Sequence, residues 1–274
     1  MVKLVVSIIL ILFSLLAPHI FEESQLIKKE AESPQALREE DRQYNIFQAG
    51  YVQGEGIDSI LTEEMIHARL RKVKADRRDN FYTWKWRNRL EITASAMGLD
   101  RRHHFANSYL VGFQPFDTDE IWIPLYTLAT RKTYQYDHLQ YSGLADVWQN
   151  SSQAHYYRRG DCEDHSIALA DWLICLGKDA RVVLGHFKGN GHAWVVLIHG
   201  DQEYLLEATG KKRLKSIQNY PLAKLMKGYQ PKFQFNRNEF WVNKGSTLTT
   251  RYRGKHWEMR SRFFKSIQRS GEGR

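Results

Sequence analysis

The sequence predicts an α+β fold, and three observations predict it. An apolar stretch over residues 162–176 has helical spacing, three strand-like segments follow it directly, and short glycine-bearing turns separate those segments. Ile167, Ala170, Leu173 and Ile174 define the buried face of the helix, and Gly177 ends it. Residues 180–185, 192–199 and 203–208 read as strands, with Gly189-Asn190-Gly191 and Gly200-Asp201 between them. Aromatic runs at 233–235 and 240–242 extend the expected antiparallel sheet, on which the helix packs.

The amino terminus begins Met1-Val2-Lys3, and residues 4–16 continue without a charge. That length suits the apolar centre of a signal peptide better than a full membrane span, which needs ~20 residues. No small-x-small cleavage site follows, and Pro18 succeeds Ala17. Residues 1–21 are therefore read as a signal peptide or membrane anchor. The body is expected to be exported to the cell envelope, periplasmic or held at the inner membrane by residues 2–21.

Residues 22–43 are strongly charged and interrupted by Pro34, which suggests a linker or loose helix. A break at 50–56 precedes Thr62, which with Glu63 and Glu64 resembles a helix N-cap followed by first-turn acids. Residues 63–97 are then expected to form one or two helices closed by Gly98, with Phe81, Trp84, Leu90 and Ile92 facing a core. The expected organisation is a helical N-terminal region and linker over 22–104, the main domain over 105–245 and a basic tail over 246–274.

Of the 274 residues, 42% are hydrophobic and 26% charged, a composition that excludes a disordered chain. The net charge is +9, and residues 251–274 hold eight Lys/Arg against two Glu. Tyr252, Trp257, Phe263 and Phe264 interleave with those charges. No helix-turn-helix, zinc-finger or RNA-recognition signature accompanies them, so nucleic acid is not expected. A solvated tail, or one that touches an anionic membrane surface, is.

The chain has two cysteines, Cys162 and Cys175. On one helix their spacing corresponds to ~20 Å of rise, whereas a disulfide needs Cα atoms within ~7 Å. Each thiol thus needs its own explanation. Cys175 suits a helix interior as a small apolar residue. Cys162 follows Gly160-Asp161 and falls in the first helical turn, where free N–H groups and the helix dipole favour a thiolate or an oxyanion. His192 opens the second strand and Glu207 nearly closes the third. If the loop between those strands is even, with His199 opposite Gln202, Glu207 shares the face of His192 one diagonal step away. Trp194 then points the same way and screens the pair. These are candidates for a nucleophilic thiol, a base and an acid that orients the base; a buried structural Cys, a surface His and an ordinary strand Glu fit the same residues equally.

Gly160-Asp161-Cys162-Glu163-Asp164-His165-Ser166, then Gly191-His192-Ala193-Trp194-Val195, then Tyr204-Leu205-Leu206-Glu207-Ala208-Thr209 resemble the core of the transglutaminase-like superfamily. The resemblance spans residues 140–210, about a quarter of the chain, and extends to bacterial transglutaminase-like cysteine peptidases. It implies a papain-like core, with 105–245 as the catalytic domain and Cys162, His192 and Glu207 as nucleophile, base and orienting acid. The family more commonly has Asp at the third position, and Glu207 is one methylene longer.

Some members bind calcium through acids that flank the cysteine, so Asp161, Glu163 and Asp164 are candidate ligands, although no cofactor is required by the chemistry. Unneutralised, these acids raise the thiol pKa. The expected function is an exported cysteine protease or amidase that acts on a protein or peptide of the envelope through a thioester. The alternatives are a crosslinking transglutaminase, in which an amine resolves the thioester, and a non-catalytic binding module. A zinc site from Cys162, His165, His192 and Glu207 has only a Cys-x-x-His spacing behind it. His165 is expected to pack or to lie on the helix surface.

Overall fold

Charged and aromatic segments alternate along the amino-terminal half, and a computed structural model resolves them mostly into strands. The structure describes residues 47, 49–73, 81–144 and 146–266. The leader expected over 1–21 and the linker over 22–43 lie outside those residues. Among the described residues no helix is long and apolar enough to cross a membrane.

In chain order the elements are β1 (Gly50–Gly54), β2 (Ile60–Thr62), α1 (Glu63–Leu70), β3 (Phe81–Trp86), β4 (Leu90–Gly98) and β5 (His103–Phe105). There follow α2 (Ile123–Arg131), β6 (Thr133–Tyr134), α3 (Asp137–Gln140), β7 (Val147–Trp148), α4 (Ser151–Tyr156), β8 (Arg159–Gly160) and α5 (Cys162–Cys175). The chain continues through β9 (Asp179–Phe187), β10 (Asn190–His199), β11 (Gln202–Leu206), β12 (Tyr229–Phe235), β13 (Glu239–Asn243) and β14 (Trp257–Lys265). Eight strands form one antiparallel sheet in the order β11-β10-β9-β12-β13-β14-β1-β2. A smaller sheet joins β3, β4 and β5, with β7 parallel to β4, and β6 pairs with β8.

The helix and hairpins after residue 160 follow the sequence pattern closely. Two corrections concern the rest. Among the described residues of 63–97 only α1 is helical; Thr62 caps it by accepting from Met65 N–H at 3.3 Å. Residues 81–86 and 90–98 form a hairpin instead. Its Phe, Tyr, Thr and Trp residues fit a pleated surface better than a helix. Arg87 and Asn88 turn the chain at φ of 46° and 60°, and Gly98 ends a strand. The expected helical N-terminal region is thus mainly β in its described part.

The second correction concerns the basic tail. β14 lies between β13 and β1, with Trp257, Ser261 and Phe263 buried. Arg260 and Arg262 alternate with these inward positions, a period-two pattern that the charge count hides.

Alternation along β9 and β10 separates two cores. Val182, Val195 and Leu197 pack with Ile167, Leu169 and Leu173 of α5 on one face. Val183, Trp194 and Val196 pack with Tyr229, Trp241, Tyr252 and Trp257 on the other. The amino end of α5 therefore meets the sheet at the start of β10.

Candidate active site

β8 ends at Gly160, and α5 begins at Cys162, which places the sulfur in the first helical turn. Asp161 makes no side-chain capping bond, and its Oδ1 is buried without a partner. Its carboxylate belongs to an acidic cluster instead. Gly160 permits this arrangement, because a Cβ there would lie 2.5 Å from Asp164 Oδ2.

His192 and Glu207 come from one hairpin. His199 pairs with Gln202 across the two-residue Gly200-Asp201 loop, which sets the even register. Glu207 Oε2 accepts a 2.8 Å hydrogen bond from His192 Nε2. The proton on Nε2 leaves Nδ1 as the basic nitrogen, and Nδ1 has no hydrogen-bond partner among the described residues. Trp194 stacks on His192 with ring centroids 6.1 Å apart and is fully buried.

Glu207 is held from all sides. Oε1 accepts from Thr209 N–H at 3.2 Å and from Thr209 Oγ1 at 2.7 Å, while Tyr229 Oη donates to Oε2 at 3.0 Å. Burial acts to raise its pKa, but the His192 hydrogen bond and charge, with Thr209 and Tyr229, outweigh it and hold Glu207 below the ordinary value.

The thiol of Cys162 reaches the hairpin at the backbone. The Ala193 backbone lies near enough to favour the thiolate, and the thiol donates to Glu163 Oε2 at 3.3 Å. Among the described residues no hydrogen bond joins the sulfur to the imidazole. His192 rises from the face of β10 that α5 does not cover, beside Phe187 at 5.8 Å and Tyr229 at 6.3 Å. Thiol and imidazole thus flank a single peptide unit, that between residues 192 and 193. Burial, and next the Asp161 charge, push the thiol up to about 12.

Carboxylate oxygens of Asp137, Asp161 and Asp164 lie within 4.8 Å of one another, and Asp161, Cys162 and Glu163 form a second such group. Asp137 Oδ1, Asp161 Oδ1, Glu163 Oε1 and Asp164 Oδ2 are buried and lack partners. Burial raises the pKa of all four acids, and repulsion from neighbouring carboxylates adds to it at Asp137, Glu163 and Asp164. Hard, closely spaced, unclaimed oxygens are compatible with a calcium ion, which takes oxygen ligands. The residues fit that ion. Neither group contains a histidine, so the zinc set is not assembled among the described residues. His165 is fully buried with Nδ1 directed at Ala208 O (3.3 Å), a packing role. Cys175 is half-buried, and its sulfur accepts from Arg237 Nη2 at 2.9 Å rather than lying among apolar groups.

Sequence reasoning missed Asp137, Thr209 and Tyr229. Thr209 carried a signal, since Glu-x-Thr lets the hydroxyl fold back on the carboxylate. Tyr229 carried none, because its contact depends on strand order.

A family model described as the CEP76 peptidase-like domain matches residues 146–260, which contain Cys162, His192 and Glu207. The match supports the transglutaminase-like resemblance. Among solved structures, Legionella pneumophila LapG is similar at 17% identity and a TM-score of 0.36, over 50% of this chain and 75% of that one. Its EGTA-treated form gives 17% and 0.35 over 50% and 73%. Its calcium-bound form gives 18% and 0.34 over 50% and 76%. Among curated proteins, none matches.

Proposed function

We propose that the chain is an exported cysteine peptidase or amidase of the cell envelope, with Cys162 as nucleophile, His192 as base and Glu207 as the acid that orients it. The observation that carries this reading is the His192–Glu207 hydrogen bond, which leaves Nδ1 unclaimed on a residue next to Ala193, whose backbone favours the Cys162 thiolate. The peptidase-like match over the same residues favours hydrolysis over transfer to an amine.

In the first step the thiol leaves Glu163, and the Cys162 and His192 side chains, which share no hydrogen bond in the structure, rotate toward each other so that Nδ1 takes the thiol proton as sulfur bonds to the substrate carbonyl carbon. The N–H groups of the first turn of α5 face the oxyanion that forms. The C–N bond then breaks, and the amine leaves with the proton from His192. A thioester remains on Cys162. Water attacks it, gives a proton to Nδ1, and the carboxylic acid departs as the thiol is restored. Glu207 stays anionic throughout and stabilises the imidazolium.

A thiol near 12 is poorly suited to this work. A calcium ion held by Asp137, Asp161, Glu163 and Asp164 would supply positive charge beside the sulfur and lower its pKa. The substrate is a protein or peptide segment in the envelope.

Labelling with iodoacetamide at pH 6, with calcium present, tests the reading. Fast modification of Cys162 that becomes slow in His192→Ala is expected. Modification at the rate of an ordinary thiol, unchanged in His192→Ala, would overturn it.

A further inference from the structure

Tyr229 comes from a strand two removed from the His192 strand, yet its hydroxyl ends on the carboxylate that faces the imidazole. Its arrival there is a product of several backbone features. Gly228 enters β12 at a φ of 95°, and the β9–β12 register shifts between Pro231 and Phe233. Such bulges re-aim side chains. Gly185 pairs with both His192 and Pro231, and a Cβ on it would lie 2.1 Å from Gln230 O. Only a glycine lets β12 come this close.

The ring of Tyr229 is then clamped. It stacks on Phe187 with centroids 4.3 Å apart and meets Trp194 edge-on at 5.1 Å. A packing role alone would be served by phenylalanine. The hydroxyl, however, donates to the same oxygen that accepts from His192 Nε2.

We infer that Tyr229 is a positioning residue, whose hydroxyl, with Thr209 on the other oxygen, fixes the longer Glu207 side chain where an aspartate would commonly stand. A glutamate has one more rotatable bond than an aspartate, and four donors remove that freedom. Without them the carboxylate swings and the imidazole loses both its tautomer and its direction. The kinetic part of this inference rests on the proposed thiol chemistry, but the network itself does not.

The experiment compares wild type with Tyr229→Phe, which keeps the stacked ring, and Thr209→Val, which removes the opposing hydroxyl. The Glu207 carboxylate is titrated by carbon NMR, and Cys162 labelling is timed at pH 6 in each variant and in the Glu207→Ala background. Loss of one hydrogen bond to a charged acceptor is expected to raise the Glu207 midpoint by about one unit and to slow labelling about tenfold. In Glu207→Ala neither substitution is expected to slow labelling further, because the path through the carboxylate is gone.

An unmoved Glu207 midpoint in Tyr229→Phe overturns the inference, as does an equal loss of labelling in the Glu207→Ala background. Slow labelling of the wild type itself sinks the enzymatic reading instead, while the carboxylate titration still decides the role of Tyr229.

Discussion

Cys162 has its thiol pushed up to about 12 by burial and the Asp161 charge. The titration of that sulfur, followed by thiolate absorbance, therefore reports on the acidic cluster. Calcium is expected to move the midpoint down, a chelator to return it, and Asp137→Asn to blunt the response. A midpoint indifferent to calcium would leave the cluster as acids that share protons. Glu207 responds to pH in the opposite sense. Its folded pKa is depressed, so its bonds to His192, Thr209 and Tyr229 stabilise the fold above the ordinary carboxylate value and are lost as pH falls through the lower folded one. At this scale the sequence was legible where chemistry travels with the chain. Cys162 after Gly160-Asp161, and His192 and Glu207 on one hairpin, are local facts with a fixed register. Asp137 and Tyr229 were illegible because each reaches the site only through the order in which strands and loops pack.

Between elements, the clearest dependence on pH lies away from the thiol. His104 stands buried between two acids, with Nδ1 3.2 Å from Glu63 Oε1 at the start of α1 and Nε2 3.0 Å from Asp100 Oδ2 in the β4–β5 turn. Burial acts to lower its pKa, but bonds to Asp100 and Glu63 outweigh that and raise it. A raised imidazole contributes fully below its unfolded value of about 6.5, and the contribution fades as pH climbs through the folded value. His104→Gln is expected to cost about 2 kcal/mol at pH 6 and less at pH 9, as read by denaturant unfolding. An equal cost at both would rule out the charged state. Gly185→Ala tests a different joint. Its methyl would collide with Gln230 O, and the expected loss is about 1–3 kcal/mol, with labelling slowed because β12 carries Tyr229 away from Glu207. The helix over 162–175 and the hairpins after it were legible because period and turn residues agree there. The β3–β4 hairpin was not, because Phe81, Trp84 and Ile92 are also compatible with a helical face, and the turn at Arg87-Asn88, at positive φ, carries no glycine to mark it.

The whole molecule is organised around a strand that composition disguises as a tail. β14 pairs with β13 from Asn243↔Trp257 to Glu239↔Arg262, and with β1 from Gly54↔Ser261 to Gly50↔Lys265. It also ties the large sheet to the small one, since Ser261 Oγ donates to Ile92 O at 2.5 Å and Phe263 meets Phe105 edge-on at 6.2 Å. A chain that ends at Asn243 would therefore lose more than positive charge. It would open two sheet edges and uncover the core formed by Val52, Ile66, Trp84, Ile92 and Phe105. Exposed ladder groups on long edges promote association with other chains. The expected outcome is loss of cooperative unfolding and recovery in the insoluble fraction, whereas the full chain stays soluble and unfolds cooperatively. Phe263→Ala gives the graded version, at about 3–5 kcal/mol. The charges make the opposite forecast if they act as a tail: replacing Arg262 and Lys265 would then matter more than replacing Phe263. Melting curves of the two variants decide between strand and tail, because burial weights the aromatic and exposure discounts the cations.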